Sequence, residues 1–324
     1  MISIIVCTHN GKDRIEACLS SLIAQENPPE YEVLVVDNAS SDGTGDRVKT
    51  YLDSSFYFGA WKLIPEDKPG LLYARLAGLR AARYDWVLFC DDDNILYSDF
   101  LFQAQRVLSR DSEIGVVGSL GIPEFQGPKP DWFDRYASSY AVGAQIINQN
   151  QLSHVYGACS IFLKKPLLRL FDRGFNPSIS DRKGKQLSSG GDVEWCWLMQ
   201  LMGYQVAYAA ELRFTHQLPA SRLTWAYYLR LKGGISGSAG LWSAYTFYRS
   251  ASFRPMIGFV FHYFCKTLKS VLLYLKYWVR WKGKPAKMEN QLSFAILESQ
   301  MRAYLKQGKG AILHFRQLND YFGS

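Results

Sequence analysis

The amino-acid sequence predicts an α/β protein whose central sheet is mostly parallel and is covered by helices on both faces. Over roughly the first ninety residues, short apolar runs rich in β-branched residues alternate with segments of helical period. Such alternation is typical of parallel strands joined by crossover helices. Beyond Ser221 the strand pattern stops, and long segments rich in basic and aromatic residues follow. The sequence therefore predicts two domains, residues 1–220 and residues 221–324.

The predicted elements of the first domain follow one another in a regular order. Near the N-terminus we expect strands at 3–8, 31–37 and 86–90 and helices at 14–25 and 71–82. A polar turn and a further helix are expected after the second strand. Farther along, we expect irregular chain at 110–155, a strand at 155–165, a helix within 188–204 and a strand at 207–216.

Polar clusters directly follow three of the predicted strands, at residues 8–10, 37–38 and 91–93. In parallel α/β sheets, ligands bind beyond the carboxyl ends of the strands. Independent strands that place polar groups at one edge therefore predict a binding site there. The alternative for Thr8 and Asn10 is a purely local role as turn formers.

Three consecutive aspartates follow the strand "WVLFC", and each disfavours the ionisation of its neighbours unless positive charge lies nearby. If the chain stays extended, Asp91 and Asp93 point to one side and Asp92 points away. Such a carboxylate pair suits Mg²⁺ or Mn²⁺, which also takes oxygen ligands from phosphates. The alternative is a solvated acidic turn.

Other polar residues also have both a functional and a structural interpretation. Asp37 can accept hydrogen bonds from a base or ribose, or it can cap the turn that follows its strand. Asp192 and Glu194 begin a helix after the glycine-containing segment 188–191. A carboxylate there can act as a general base or only favour the positive helix end. His216 ends a strand and is a metal ligand, a phosphate contact or a core histidine.

The net charge of +8 is unevenly distributed. Residues 221–324 contain sixteen Lys and Arg against three acidic residues, a surplus of 13, whereas residues 1–220 carry a net −5. The six cysteines lack metal-ligand spacing, which indicates reduced thiols in a reducing compartment. Nothing after Met1 resembles a secretory leader, so the expected location is the cytoplasm.

Residues 254–284 predict a basic amphipathic helix. On a helical wheel, four basic side chains oppose an apolar group: Lys266, Lys269, Lys276 and Arg280 against Phe264, Leu268, Leu272, Leu275 and Val279. The longest charge-free run, Pro255–Cys265, is too short to span a bilayer. The helix is therefore expected to bind an anionic membrane surface peripherally. The alternative is packing on the first domain with the lysines in water. No nucleic-acid-binding motif accompanies the charge, so no nucleic acid is expected.

Four segments in order resemble the family 2 glycosyltransferases, which are inverting enzymes with the GT-A fold. They are "SIIVCTHNGKDRIEACLSSLIAQ", "YEVLVVDNASSDGT", "YDWVLFCDDDNIL" and "SGGDVEWCWLMQLMGY". The resemblance spans about residues 1–216. Two positions depart from the family pattern: Gly191 stands where an acidic residue often precedes the base, and Leu76 replaces a common Asn.

The resemblance implies a role for each matching residue. The nucleotide pocket would be lined by Thr8, His9, Asn10 and Asp37, and the ribose would be reached by Asp91 and Asp92. The metal site would be framed by Asp91 and Asp93, and His216 would approach the metal or the diphosphate. Arg75 would lie near the diphosphate, and Asp192 would be the base. Asp93 is the expected direct metal ligand.

The implied reaction transfers a sugar from a nucleotide-diphosphate donor, by default a UDP-sugar, to a glycan or lipid-linked acceptor. It would need Mn²⁺ or Mg²⁺ and would serve surface glycan synthesis at the inner face of the cell membrane. Three alternatives remain at this point. A nucleotidyltransferase usually has a glycine-rich phosphate loop that "CTHNGKD" lacks. A hydrolase with an Asp nucleophile normally has its motif after the first strand. The third is a non-catalytic sugar- or lipid-binding module.

Overall fold

The computed structural model of the chain describes residues 1–55, 60–179, 189–251, 255–282 and 287–323. Its first compact unit comprises Met1–Gly174 and Asp192–Ala220, and its second comprises Phe175–Gly191 and Ser221–Ser324. The expected division at residue 220 had placed Phe175–Gly191 in the first domain. Phe175 instead packs edge-on against the rings of His314 and Tyr321.

The first unit carries the strands of a single sheet together with the helices that flank it. Its elements are β1 Ile2–Thr8, α1 Ile15–Ile23, β2 Tyr31–Asp37, α2 Thr44–Ser54, β3 Ala60–Pro65, α3 Leu71–Ala81, β4 Trp86–Asp91, β5 Asn94–Leu96, α4 Phe100–Leu108, β6 Ile114–Gln126, α5 Phe133–Tyr136, β7 Ser160–Leu163, α6 Lys164–Asp172, α7 Gly191–Leu201 and β8 Gln205–Pro219. Short 3₁₀ turns cover Ala137–Tyr140 and Ala220–Arg222.

The sheet has the strand order β3-β2-β1-β4-β7-β6-β8-β5. β1 runs parallel to β2 and β4, β2 runs parallel to β3, and β6 runs parallel to β8. β7 is antiparallel to β4 and β6, and β5 is antiparallel to β8. The predicted α/β fold with a mostly parallel sheet is therefore confirmed.

Burial on both faces of the sheet explains why its central strands are continuously apolar. Ile4, Val6, Val33 and Val35 are fully buried, as expected for parallel strands with helices on each side. α3 approaches β1 so closely that a Cβ on Gly78 would lie 2.3 Å from the Ile5 side chain. Close helix–strand packing at this position therefore requires glycine.

Two predicted segments differ in the structure. The stretch 110–155, expected to be irregular, contains β6, whose glycines and Pro123 conceal a strand pattern. Its Gly121 is required by packing, because a Cβ there would lie 2.1 Å from the Ala141 carbonyl oxygen. The strand expected at 155–165 is shorter: β7 ends at Leu163 and α6 follows directly.

In its described residues, the second unit contains four α-helices: α8 Trp225–Ser236, α9 Ala239–Ser250, α10 Met256–Trp281 and α11 Met288–Phe322. Among the helices described, α10 alone is long and apolar enough to cross a membrane, by length and composition. The sequence prediction measured the apolar length by the charge-free run Pro255–Cys265. That measure was too short, because the apolar window of a candidate membrane span tolerates up to two charged residues. Arg254 and residues 283–284 of the expected helix lie outside the described residues.

Candidate functional site

Three strand ends with predicted site residues are neighbours in the sheet. β1 lies between β2 and β4, and the parallel register pairs Thr8 with Asp37 and Cys7 with Asp91. Hydrogen-bonded strands lie about 5 Å apart. Side chains from three separate parts of the sequence therefore meet at one edge of the sheet.

Asp92, the middle carboxylate of the acidic run, is bound by an arginine that sequence analysis missed. Arg14 Nε donates to Asp92 Oδ1 at 2.7 Å, and Arg14 Nη2 donates to Asp92 Oδ2 at 2.8 Å. The Thr8 hydroxyl donates to Asp92 Oδ2 at 2.6 Å. Burial raises the pKa of the Asp92 carboxyl, and the Arg14 guanidinium opposes that shift. Both Asp92 oxygens are thus engaged within the chain, which does not favour the implied ribose contact.

Arg14 also holds the turn that follows β1. Its Nη1 donates to the Asn10 carbonyl at 2.9 Å, and its Nη2 donates to the His9 carbonyl at 3.2 Å. Gly11, a second residue that sequence analysis missed, closes this turn. A Cβ on Gly11 would lie 2.5 Å from Asp92 Oδ2. The acidic run is therefore tied to the predicted nucleotide-binding turn through Arg14.

The turns after β1 and β2 are joined by side-chain hydrogen bonds. His9 Nδ1 lies 2.8 Å from the Asn38 carbonyl, to which it donates. Asn10 adopts a left-handed backbone conformation with a φ of 50°. Its side-chain Oδ1 accepts the Ser41 N–H at 2.9 Å, and its own N–H donates to Ser40 Oγ at 3.0 Å. His9 and Asn10 are exposed, so both retain surface for contact with a ligand.

Asp37 and Asn38 both contribute hydrogen bonds that shape the chain after β2. Asp37 Oδ1 accepts the Ser40 N–H at 3.3 Å, which is the turn-capping role offered as its alternative. Asp37 Oδ2 lies 2.8 Å from the position that a Gly45 Cβ would occupy. Asn38 is buried and hydrogen-bonds three backbone groups of residues 66–70. This local structure needs no ligand, and it leaves the Asp37 carboxylate half-buried.

Asp93 and His216 are brought together by the pairing of β5 with β8. The antiparallel register places His216 opposite Asn94. His216 Nδ1 lies 2.7 Å from the Tyr140 carbonyl, which can only accept, so Nδ1 carries a proton. Nε2 then faces Asp93 Oδ2 at 3.6 Å. Metal-binding histidines are commonly oriented by such a hydrogen bond from the other ring nitrogen.

The expected set of three metal ligands, Asp91, Asp93 and His216, is not formed. In the part of the chain that the structure describes, no three His, Cys, Asp or Glu side chains are grouped to hold a metal ion. The reason is that β4 ends at Asp91 and the chain turns at Asp92, so an extended alternation does not apply. The Asp93–His216 pair still fits Mn²⁺ or Mg²⁺, because such ions take one or two carboxylates and complete their shell with phosphates and water.

A second charged group surrounds Gly157. Asp192, in the first turn of α7, accepts the Gly157 N–H on Oδ2 at 2.7 Å and the Val193 N–H on Oδ1 at 2.9 Å. A Cβ on Gly157 would lie 2.5 Å from Arg75 Nη2 and 3.1 Å from Asp192 Oδ2. Arg75 Nη2 and Asp192 Oδ2 therefore both lie close to a glycine that sequence analysis did not single out. Ser188 of the glycine-containing segment lies outside the described residues.

Comparison with solved structures identifies the fold. A mannosyltransferase, PcManGT from Pyrobaculum calidifontis in complex with GDP-Man and Mn²⁺, aligns with a TM-score of 0.52 at 20% identity, over 100% of this chain and 75% of that one. S. aureus TarS 1–349 in complex with UDP-GlcNAc aligns with a TM-score of 0.50 at 17% identity, over 95% and 92%. At these identities the likeness concerns the fold alone, and it confirms the predicted GT-A fold.

Curated relatives share part of the sequence. Glycosyltransferase AglE of Haloferax volcanii is 27% identical over 216 residues, which cover 66% of each chain. The uncharacterized glycosyltransferase YfnE of Bacillus subtilis is 33% identical over 116 residues, 36% of this chain and 28% of that one. The chain thus matches about two thirds of the length of the first relative and about a quarter of the second.

The sequence profile of Glycosyl transferase family 2 matches residues 3–171, which is just over half of the chain. The matched range contains β1 to β4, the acidic run and Gly157. It ends before Asp192 and His216, whose positions come from the structure and the motif resemblance. On the extent of this match, the chain belongs to glycosyl transferase family 2.

Proposed function

We propose that this protein is an inverting glycosyltransferase that moves a sugar from a nucleotide-diphosphate donor to a hydroxyl of a glycan or lipid-linked acceptor. The observation that carries the proposal is the pairing of buried Asp93 with a histidine whose Nε2 is aimed at it. The carboxylate suits a hard divalent cation, and the imidazole can contact that cation or the diphosphate. Asp192, held separately by two N–H groups, suits a general base.

The donor is proposed to be a UDP-sugar. Neighbours of the same fold have solved structures in complex with UDP-GlcNAc and with GDP-Man and Mn²⁺, which supports a nucleotide sugar. Thr8, His9, Asn10 and Asp37 are proposed to line the nucleotide pocket, because their strand ends and turns are adjacent. Asp91 is proposed to reach the ribose, since no described residue hydrogen-bonds its carboxylate.

Arg75 and the Asp93–His216 pair are proposed to act on the diphosphate. Mn²⁺ or Mg²⁺ would be held by Asp93 and His216, and when bound it supplies positive charge to the departing diphosphate. The Tyr140 carbonyl keeps His216 Nε2 turned toward Asp93, and Asn94 Nδ2 donates to Asp93 Oδ1 at 3.3 Å. The Arg75 guanidinium would add a fixed cation near the same leaving group.

Asp192 is proposed to take the proton from the attacking hydroxyl of the acceptor. The Gly157 and Val193 N–H groups fix the orientation of the carboxylate without using all of its lone pairs. As the acceptor oxygen approaches the anomeric carbon from the face opposite the diphosphate, one displacement inverts that carbon. The acceptor is proposed to be lipid-linked or a glycan, reached at the inner face of the cell membrane.

The first experiment is a thermal-shift panel of UDP, GDP, dTDP and CMP, each with and without Mn²⁺. A ligand that binds the folded state raises its melting temperature. We expect a Mn²⁺-dependent shift for one nucleotide, lost in Asp93→Ala and kept in Asp134→Asn, a control at an exposed carboxylate paired with Lys129. No shift with any nucleotide would overturn the proposed donor site.

The second experiment measures donor turnover, as hydrolysis of the nucleotide sugar, in Asp192→Asn. Loss of a general base lowers the rate by about 10² to 10⁴, while nucleotide binding in the thermal-shift assay should remain. Near-normal turnover by Asp192→Asn would remove Asp192 as the base. Absence of turnover in the unmodified protein at every Mn²⁺ concentration, despite nucleotide binding, would support a non-catalytic module instead.

A further inference from the structure

The exposed apolar side chains of the chain are concentrated on α10. Of the sixteen large hydrophobic side chains that are exposed in the described residues, ten belong to this helix. Ile257 is 79% exposed, Phe261 is 69% exposed and Val279 is 70% exposed. Contiguous exposed apolar surface of this kind marks an interaction site in a folded protein.

α10 packs within the second unit by a different face. Its buried side chains are Phe259, Tyr263 and Ser270. Phe259 stacks on Phe315 of α11 with ring centroids 4.3 Å apart, and Tyr263 Oη donates to the Tyr304 carbonyl at 2.8 Å. The contact with α11 thus uses aromatic and small polar side chains, whereas the aliphatic side chains lie on the outer surface.

The outer surface of α10 divides into two arcs. With Tyr263 at 0° and a step of about 100° per residue, one arc from about 60° to 180° holds apolar side chains. It contains Ile257, Val260, Phe261, Phe264, Leu268, Leu272, Leu275, Trp278 and Val279. The adjoining arc, from about 220° to 300°, holds Lys266, Lys269, Lys276 and Arg280, together with the tenth exposed hydrophobic side chain, Leu273. Below, the first is called the apolar arc and the second the basic arc.

We propose that α10 lies parallel to an anionic membrane leaflet, with the apolar arc inserted among the acyl chains and the basic arc on the lipid phosphates. Basic side chains beside an apolar face match the charge of such a leaflet. Trp278, 41% exposed, has the Lys282 ammonium 4.6 Å from its ring centroid, a pair suited to the headgroup boundary. This inference goes beyond the proposed reaction and does not depend on it.

Two other occupants of the apolar arc fit the residues less well. A transmembrane orientation of α10 would place Lys266 and Lys269 near the bilayer centre, where charged side chains are costly. A second copy of the chain would bring two helices with the same basic arc together, within regions that each carry a surplus of 13 positive charges. The leaflet satisfies both arcs at once.

The test is co-sedimentation of the whole chain with vesicles of phosphatidylglycerol and phosphatidylcholine, compared with pure phosphatidylcholine, at low and high salt. We expect binding to the anionic vesicles that weakens with salt. Phe264→Ser/Leu272→Ser should lower the partition coefficient at least about tenfold. Lys266→Gln/Lys269→Gln should lower it about fivefold per lysine. The matched control is Phe102→Ser/Ile146→Ser, at two exposed apolar side chains of the first unit.

Each outcome decides for or against the proposal. Because all substituted side chains are exposed, an unchanged melting temperature should accompany each variant. Equal binding by Phe264→Ser/Leu272→Ser and the control would exclude the apolar arc as the membrane contact. Protein that stays with the vesicles through alkaline carbonate and high salt would show a spanning helix instead. Dimerisation without vesicle binding, by sedimentation equilibrium, would assign the arc to a second copy.

Discussion

Replacing Arg14 with Met should destabilise the first unit, because it leaves the buried Asp92 carboxylate without its cation. Arg14 donates twice to Asp92, at 2.7 and 2.8 Å, and among the described donors the Thr8 hydroxyl would remain. Removing one partner of a buried ion pair costs about 3 to 5 kcal/mol. The Arg14 side chain is 39% exposed and that of Asp92 is 10% exposed, so water offsets part of the loss. We expect about 2 kcal/mol.

The assay is equilibrium unfolding in urea, followed by far-UV circular dichroism, on a double-mutant cycle with Asp92→Asn. Because Asp92→Asn removes the buried charge, the double variant should be more stable than the sum of the two single losses implies. Arg47→Met is the matched control, since Arg47 also donates to a carboxylate, that of Glu16, but on the surface. We expect less than about 0.5 kcal/mol there.

The pH dependence provides a second check on the charge of Asp92. Burial already raises the pKa of Asp92 in the folded state, and loss of Arg14 would raise it further. The cost of Arg14→Met should then be present at neutral pH and shrink as the pH falls through that folded-state pKa. The reasoning would be refuted if the stability losses of Arg14→Met and Asp92→Asn were strictly additive, or if Arg14→Met cost no more stability than Arg47→Met. A cost of Arg14→Met that grows in acid would also refute it.

Three further predictions concern packing and protonation elsewhere. Gly157→Ala places a methyl carbon 2.5 Å from Arg75 Nη2 and beside Asp192, so donor hydrolysis should fall about a hundredfold while the circular dichroism spectrum is retained. His314 is buried, and burial lowers the pKa of its imidazole to about 4. The free energy of unfolding should be unaffected by this group above the unfolded-state pKa of about 6.5 and should decline by about 2 kcal/mol by pH 5, because the unfolded state then binds a proton that the folded state does not. Urea unfolding of His314→Leu should lack this decline. Phe315→Ala should cost about 3 to 5 kcal/mol in urea unfolding, since this ring is fully buried.

Local periodicity was sufficient to predict β1, α1, β2, α2, α3 and β4, but not β3, β5 or α4. The helix expected at 14–25 is α1, in which Ile15, Cys18 and Leu22 are buried. Strands such as β1 are buried on both faces, so their β-branched runs are unbroken and easily recognised. β6 was missed because it contains several glycines, which are disfavoured in strands. Tertiary packing requires them, since a side chain at Gly118 would clash with the Val155 side chain.

The candidate site was predicted less evenly. Residues at the ends of parallel strands could be placed together from topology alone, as Thr8 and Asp37 show. The turn at Asp92 could not be predicted, because it separates two short strands whose partners lie far away in the chain. Arg14 carries no local signal either, since it is 78 residues from Asp92.

By itself, the sequence determined the alternation of strands and helices, the edge of the sheet where polar residues gather, and the basic character of the C-terminal helices. These properties depend on side-chain periodicity and charge, which are local. The tertiary structure alone decided that Asp92 is bound by Arg14, that Asp93 faces His216, and that Arg75 and Asp192 both lie beside Gly157. It also decided which face of α10 is left exposed. Such pairings depend on contacts between distant segments, and local periodicity contains no information about them.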